Sequence, residues 1–270
     1  MMEMDKENKM SMDDQEKKKM SPMRRESIYQ IIQDQKMVKV SDLSEETGVT
    51  KMTVRRDLEF LEKKGLIERI HGGAILSNRG LLEPLFSQKS MLHRQEKDAI
   101  AKKAASLVQD YETIFINSGS TSLRLFHEIT AKHVKIVTNN AYFPMEDIPD
   151  NLEVLSTGGN FSNESFTYYG DLANYAVSQV WATKAFIGVD GIDVLHGLTS
   201  PVQAEGQINR SMIEHTKNQV IIIADSSKIG RVSNFFLSSI SVVNMLITDK
   251  GISEKDLNEF TKQGIEVVVV

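Results

Sequence analysis

Two groups of residues have the types and the spacing to do chemistry. The first lies in Lys51-Met52-Thr53-Val54-Arg55-Arg56-Asp57-Leu58. On a helix Val54, Leu58 and Leu61 fall on one stripe at about 100° per residue, so Met52, Thr53, Arg55 and Arg56 look outward with Lys51 at the entrance. A guanidinium fork can read a guanine edge through two hydrogen bonds, and a threonine can meet a phosphate or a thymine methyl. Arg69 falls where phosphates would lie, and His71 beside it joins the group as a candidate DNA contact. The second group is scattered: Asn117-Ser118-Gly119-Ser120-Thr121, Thr138-Asn139-Asn140, Asp190-Gly191-Ile192-Asp193 and Asp225-Ser226-Ser227-Lys228. Each sits at or just after the C-terminal end of a predicted strand, where open α/β sheets bind ligands. Glycine followed by hydroxyl residues at a helix start offers amide donors and a favourable dipole to a phosphate. Lys228 can add positive charge from the opposite side. Asp190, Asp193 and Glu205 can accept from sugar hydroxyls, and Asn139 or Asn140 can do either. Taken singly these features are ordinary caps and turns, as is Gly158-Gly159.

The elements that must position them follow from periodicity. Ile28, Ile31 and Ile32 repeat at helical spacing, a short helix follows from about Asp42 with Ser41 as its cap, and Gly48 supplies a turn. A third helix runs from Thr50, its cap, to about Lys64, and Gly65 ends it. Leu66–Ile70 and Ala74–Leu76, joined through His71-Gly72-Gly73, read as a hairpin. Three helices and a hairpin make a winged helix. Beyond it strands and helices alternate. An amphipathic helix covers Gln95–Gln109, and strands are expected at Thr113–Asn117, Val134–Thr138, Leu152–Ser156, Lys184–Val189, Val220–Ala224, Val242–Thr248 and Ile265–Val270. Helices are expected at Thr121–Glu128, Asp171–Gln179, Gln203–His215 and Glu254–Gln263. Several strands are continuous apolar runs, as in a parallel sheet covered on both faces. Trp181 reads as core. His127 and His133 have no third ligand nearby in sequence, so no metal is expected.

Composition narrows the classes. Residues 1–22 form a Met-, Lys- and acid-rich tail, and the first twenty of them contain no Ala, Val, Ile, Leu or aromatic residue. They read as disordered, with a start at Met20 or Met23 left open. The domains are then 23–76 for the winged helix, 77–93 for a linker and 94–270 for the α/β part. The chain has no cysteine, which excludes disulfides and thiolate chemistry. No apolar run approaches the ~18 residues of a membrane span, and no signal peptide is visible, so a cytoplasmic protein is expected. Net charge is −5, and residues 24–71 hold ten basic against nine acidic side chains, so any DNA signal rests on placement rather than total charge.

Val49-Thr50-Lys51-Met52-Thr53-Val54-Arg55-Arg56-Asp57-Leu58, followed by Gly65-Leu66-Ile67 and Arg69-Ile70-His71-Gly72-Gly73-Ala74, resembles the N-terminal signature of the DeoR family of sugar-metabolism regulators. Ser44 stands where such motifs usually carry alanine. In the second half Gly119-Ser120-Thr121, Thr138-Asn139, Gly158-Gly159, Gly170, Phe186-Ile187-Gly188, Asp190–Asp193, Gly197-Leu198, Glu205, Asp225–Lys228 and Ile247-Thr248-Asp249 are similar to the same family, over roughly residues 24–250. The resemblance implies a Rossmann-like parallel-sheet sensor domain related to ribose-5-phosphate isomerase, and a sugar phosphate held by Gly119–Thr121 and Lys228. Ser120 and Lys89 replace the family's more usual threonine and arginine. It also implies repression of a carbohydrate operon, double-stranded operator DNA as partner, a homo-oligomer (dimer or tetramer), and no cofactor beyond the effector. The linker 77–93 is expected to carry the ligand's signal. The rival reading is a sugar-phosphate isomerase or deaminase with Asp190, Asp193, Glu205 and Lys228 as its acid, base and clamp. Against it, the Lys-Gly-Gly-Gly-type loop of such isomerases is absent and a DNA-binding module stands in front. A third reading makes the α/β part an oligomerisation platform only.

Overall fold

A computed structural model describes residues 24–32, 35–63, 66–70, 72–76, 89–142 and 148–270. The tail at 1–22, the end of the third helix at Lys64-Gly65, His71 and most of the expected linker lie outside them. The chain divides into two compact units, one through Leu92 and one from His93.

The first unit holds α1 (residues 24–32), β1 (Met37–Lys39), α2 (Val40–Thr47), α3 (Lys51–Lys63), β2 (Ile67–Ile70) and β3 (Gly73–Leu76). Of the apolar residues predicted, Ile28 and Ile32 of α1 and Val54, Leu58 and Leu61 of α3 are at most 1% exposed, while Ile31 is half-buried; Leu43 of α2 joins this core. The wing has a strand that the periodicity did not show. β1 pairs antiparallel with β3, giving the sheet order β1-β3-β2. The close approach demands Gly73, because a Cβ there would lie 2.1 Å from the Val38 carbonyl oxygen. The same strand corrects the start of α2. The helix begins at Val40, straight from β1, and the Val40 amide donates to the Gly72 carbonyl at 2.9 Å. Ser41, expected as the cap, instead donates to the Asp42 carboxylate at 2.7 Å. Gly48 closes α2 in the left-handed conformation (φ 68°), and the Ser44 hydroxyl donates to the Val49 carbonyl at 2.7 Å, so serine ties down the turn. Met91 and Leu92, expected in the linker, pack against this core.

The second unit is built on a seven-stranded, all-parallel sheet in the order β15-β14-β12-β9-β4-β5-β6. The strands are β4 (Thr113–Ile116), β5 (Val134–Thr138), β6 (Leu152–Ser156), β9 (Ala182–Ile187), β12 (Thr216–Ile223), β14 (Met245–Thr248) and β15 (Glu266–Val269). Consecutive apolar residues point to opposite faces, and both faces are dry. Ile114, Ile116, Phe186, Ile221 and Ile223 meet α4 (Arg94–Ala105) and α5 (Ser120–Glu128) on one face. Phe115, Ile187, Ile222 and Leu246 join α6 (Asp171–Ser178), α7 (Gln203–Glu214) and α8 (Glu254–Lys262) in the core on the other. This explains the apolar runs of the sequence.

Two small antiparallel additions were not predicted: the hairpin β7 (Asn160–Ser162) with β8 (Thr167–Tyr169), and the sheet β10 (Gly191–Asp193), β11 (Gly197–Ser200), β13 (Phe235–Ser238). Trp181 is not core. It is 56% exposed and lies against the His215 ring, centroids 5.0 Å apart. It immediately precedes β9, so it falls outside the sheet that buries its neighbours.

Candidate DNA-binding face and effector crevice

The DNA-binding candidates sit as the helical projection requires. Lys51, Met52, Arg55 and Arg56 are exposed on the N-terminal half of α3, opposite the buried Val54–Leu58–Leu61 stripe. Thr50 caps the helix: its Oγ1 accepts from the Thr53 amide at 3.3 Å and lies 3.0 Å from the Thr53 hydroxyl, a cap worth about 1 kcal/mol. Thr53 is thus half-buried and partly committed to the helix start.

Asp57 is the residue that sequence reasoning missed. It follows the arginine pair but points inward, 1% exposed, where Arg24 and Arg25 of α1 reach it through Nε at 2.6 and 2.8 Å. Arg25 also lies over the Phe60 ring, 4.0 Å from its centroid. A buried carboxylate stripped of such partners costs on the order of 3–5 kcal/mol. Asp57 therefore fixes α3 against α1 and sets the direction in which Arg55 and Arg56 project. Arg69 on β2 is held by Glu62 of α3, amide to carboxylate at 3.2 Å and guanidinium to carboxylate at 3.6 Å. That places it at the junction of helix and wing.

The second candidate group converges on the reversal of strand order. From β4 the chain proceeds outward through β5 and β6, then returns to β9 on the other side of β4. The C-terminal ends of β4 and β9 therefore flank a crevice. Asn117 spans it. Its Oδ1 accepts from the Gly188 amide at 2.8 Å and from the Ser122 hydroxyl at 2.9 Å. Its Nδ2 donates to the Gly188 carbonyl at 2.9 Å and to Asn209 Oδ1 at 3.1 Å. Gly119 then turns the chain into α5 with φ 151° and ψ 159°, a backbone that favours glycine. The first intrahelical bond of α5 runs from the Leu123 amide to the Gly119 carbonyl, so the Ser120, Thr121 and Ser122 amides precede the helical ladder.

Asn139 positions this turn. Its Oδ1 accepts from the Ser118 amide at 2.8 Å, and its Nδ2 donates to the Tyr168 carbonyl at 3.2 Å. Asn140 differs. Its Oδ1 accepts from the Tyr142 amide at 2.9 Å, while its buried Nδ2 has no partner among the described residues. On the other flank Asp225, two residues beyond β12, caps the turn Ser226–Lys228. Asp249 pins the same turn, accepting from the Ser226 amide at 2.6 Å, the Ser226 hydroxyl at 2.9 Å and the Gly251 amide at 2.8 Å. Burial alone would raise the Asp249 pKa, but the donors from Ser226 and Gly251 outweigh it and hold the carboxyl below the usual aspartate range.

Comparison with known proteins agrees with both halves of this geometry. Residues 24–79 match the DeoR-like helix-turn-helix domain, and residues 92–250 match the DeoR C terminal sensor domain. A candidate aga operon transcriptional repressor of Escherichia coli is 34% identical over 256 residues, covering 92% of this chain and 93% of that protein. The chain belongs to the DeoR family of transcriptional regulators. The HTH-type regulator GlpR of Haloferax volcanii is 30% identical (91% of this chain, 96% of that one), and the lactose phosphotransferase system repressor of Lactococcus lactis is 29% identical (88% and 95%). Among solved structures, ribose 5-phosphate isomerase from Plasmodium falciparum aligns over 49% of the chain and 52% of its own, with 20% identity and a TM-score of 0.35. Family membership makes the chain a regulator, not an isomerase or deaminase.

Within this DeoR-family frame not every candidate faces the crevice equally. Ser118 and Gly119 follow β4, Ser120 and Thr121 open α5, and Asn140 follows β5, all at the C-terminal side of the sheet near the reversal. Asp190 is half-buried in the loop after β9. Glu205, 8% exposed, is one turn before Asn209 on α7. Asp193 is spent on the turn between β10 and β11, accepting from the Leu195 and His196 amides at 2.9 and 2.8 Å and lying 2.7 Å from His196 Nδ1. Gly158 and Gly159 follow β6, two strands from β4. A Cβ on Gly159 would meet the Tyr169 carbonyl oxygen at 2.7 Å, so close packing explains that glycine. Among the described residues no His, Asp and Glu cluster is arranged to hold a metal.

Two outcomes are expected. Replacing Arg56 by alanine should cost about 1–3 kcal/mol of specific binding, read as competition between operator and random DNA; undiminished discrimination would remove Arg56 from the interface. Asp249→Asn should lower the melting temperature most at neutral pH. Because the folded-state pKa is depressed, the stabilisation is complete above the ordinary aspartate pKa and lost as pH falls through the folded value. A gap between variant and parent that stayed constant into acid would contradict this role.

Proposed function

We propose that this regulator represses a carbohydrate-utilisation operon in the cytoplasm, binds its operator as a homo-oligomer, and is controlled by a phosphorylated sugar in the crevice between β4 and β9. The observation that carries the ligand class is the paired character of the crevice. One flank is a glycine-led helix start whose first amides favour an anion, and at the end of β5 is a buried Asn140 amide donor without a partner among the described residues. The first suits a phosphoryl group and the second a sugar oxygen. Lys228, in the turn that Asp225 and Asp249 hold, supplies positive charge from the β12 side. A relative points the same way, since the Lactococcus lactis protein is a lactose phosphotransferase system repressor. Paired half-sites on duplex DNA motivate an even number of subunits. No cofactor is needed beyond the effector. Among the described residues no helix is long and apolar enough to cross a membrane.

The test combines two titrations of the full chain. Fluorescence anisotropy on a duplex from its own promoter reads operator affinity, and a thermal melt reads ligand binding, against a panel of pentose, hexose and triose phosphates. One sugar phosphate is expected to raise stability, by about 2.7 kcal/mol at a hundred times its Kd, and to weaken operator binding. Inorganic phosphate and the free sugar should do neither. A silent panel with intact DNA binding would favour a platform role for the α/β unit.

A further inference from the structure

The first residue of the second unit, His93, has an unusual backbone. Met91 and Leu92 pack against the core of the winged helix, and α4 starts at Arg94. His93 in between is left-handed, at φ 52° and ψ 45°, a conformation that non-glycine residues rarely adopt. Its carbonyl accepts from the Lys97 amide at 3.0 Å, the bond that starts α4. Lys97 is also the one charged side chain of that helix that is buried, at 4% exposure, and its Nζ lies 3.9 Å from Asp225 Oδ2. Asp225 is 2% exposed, and its other oxygen accepts from the Ser227 amide at 3.2 Å and from the Ser227 hydroxyl. α4 itself lies against β12 and β14.

We infer that Lys97 is a positioning residue that couples the effector turn Ser226–Lys228 to His93, the left-handed residue that starts α4. This rests on the crevice reading given above. A buried ammonium is held by the polar groups around it, and Asp225 is one of these, at an ion-pair distance of 3.9 Å rather than a hydrogen-bond distance. An anion added beside Ser226–Lys228 changes the field that Asp225 and Lys97 share. Lys97 responds through its own backbone amide, which is bonded to His93. The signal thus passes through four members in sequence: the Ser226–Lys228 turn, Asp225, Lys97 and His93.

The test compares the full-length parent with Lys97→Met and His93→Gly. Operator affinity is measured by anisotropy with and without ribose 5-phosphate, fructose 1-phosphate, fructose 6-phosphate, galactosamine 6-phosphate and glycerol 3-phosphate. In the parent, the releasing compound should weaken operator binding on the order of 10-fold. Lys97→Met should bind operator within about threefold of the parent and show release of less than about twofold. His93→Gly, which relaxes the left-handed residue without touching the buried pair, should lose release in the same way. Full release by both variants overturns the inference. Amide exchange provides an arm that needs no effector. Lys97→Met should speed exchange at the Lys97 amide at least about tenfold while leaving α8 unchanged, and equal exchange in variant and parent overturns the coupling. If no panel member releases the parent, the sugar-phosphate reading fails, and the exchange arm alone decides the role of Lys97.

Discussion

A parallel sheet that grows in both directions from its first strand must leave a gap where the order reverses, and here one asparagine bridges it. Asn117 binds both the amide and the carbonyl of Gly188, the Ser122 hydroxyl and the Asn209 side chain. Those bonds fix the separation of β4 and β9 at the point where the chain turns into α5. Every candidate ligand group near the reversal takes its place from that constraint. Asn139 then orients Ser118, and Asp225 with Asp249 shapes the turn on the far flank. The crevice is a small polar lattice set into two dry cores.

The winged helix shows the same logic with charges. Val54, Leu58 and Leu61 give α3 its buried stripe, but a stripe alone leaves the helix free to roll. The paired arginines of α1 on Asp57 remove that freedom. Arg55 and Arg56 can then face outward from a helix whose rotation is set from within. Specific reading of base edges needs such a fixed frame, because a guanidinium fork must arrive in the plane of the base.

The recognition helix, its outward face and most of the parallel sheet were legible in the sequence, since 3.6-residue periodicity and continuous apolar runs are local signals. What stayed hidden was non-local. β1 is three residues long, and its partner Ile75 is far along the chain from Met37. Asp57 reads as one more charge in a charged helix until Arg24 and Arg25 are folded onto it. Asn117 looked like the edge of a glycine-serine turn, while its bonds reach Gly188 and Asn209. Asp193 suits a sugar hydroxyl by residue type, yet the three-residue return to His196 claims its carboxylate. The aromatic bulk of Trp181 suggests burial, yet the residue falls just outside the strand that would have buried it. Gly73 was the available clue to β1, since a glycine next to a wing turn often marks a close backbone approach.

Binding in the crevice is the claim on which the regulatory account stands, and amide hydrogen exchange on the full chain measures it most directly. With the sugar phosphate that releases DNA at saturation, slower exchange is expected together at Ser118–Thr121 and at Ser226–Lys228. Protection confined to the outer edges of the sheet, or absent from both turns while DNA is released, would contradict the account.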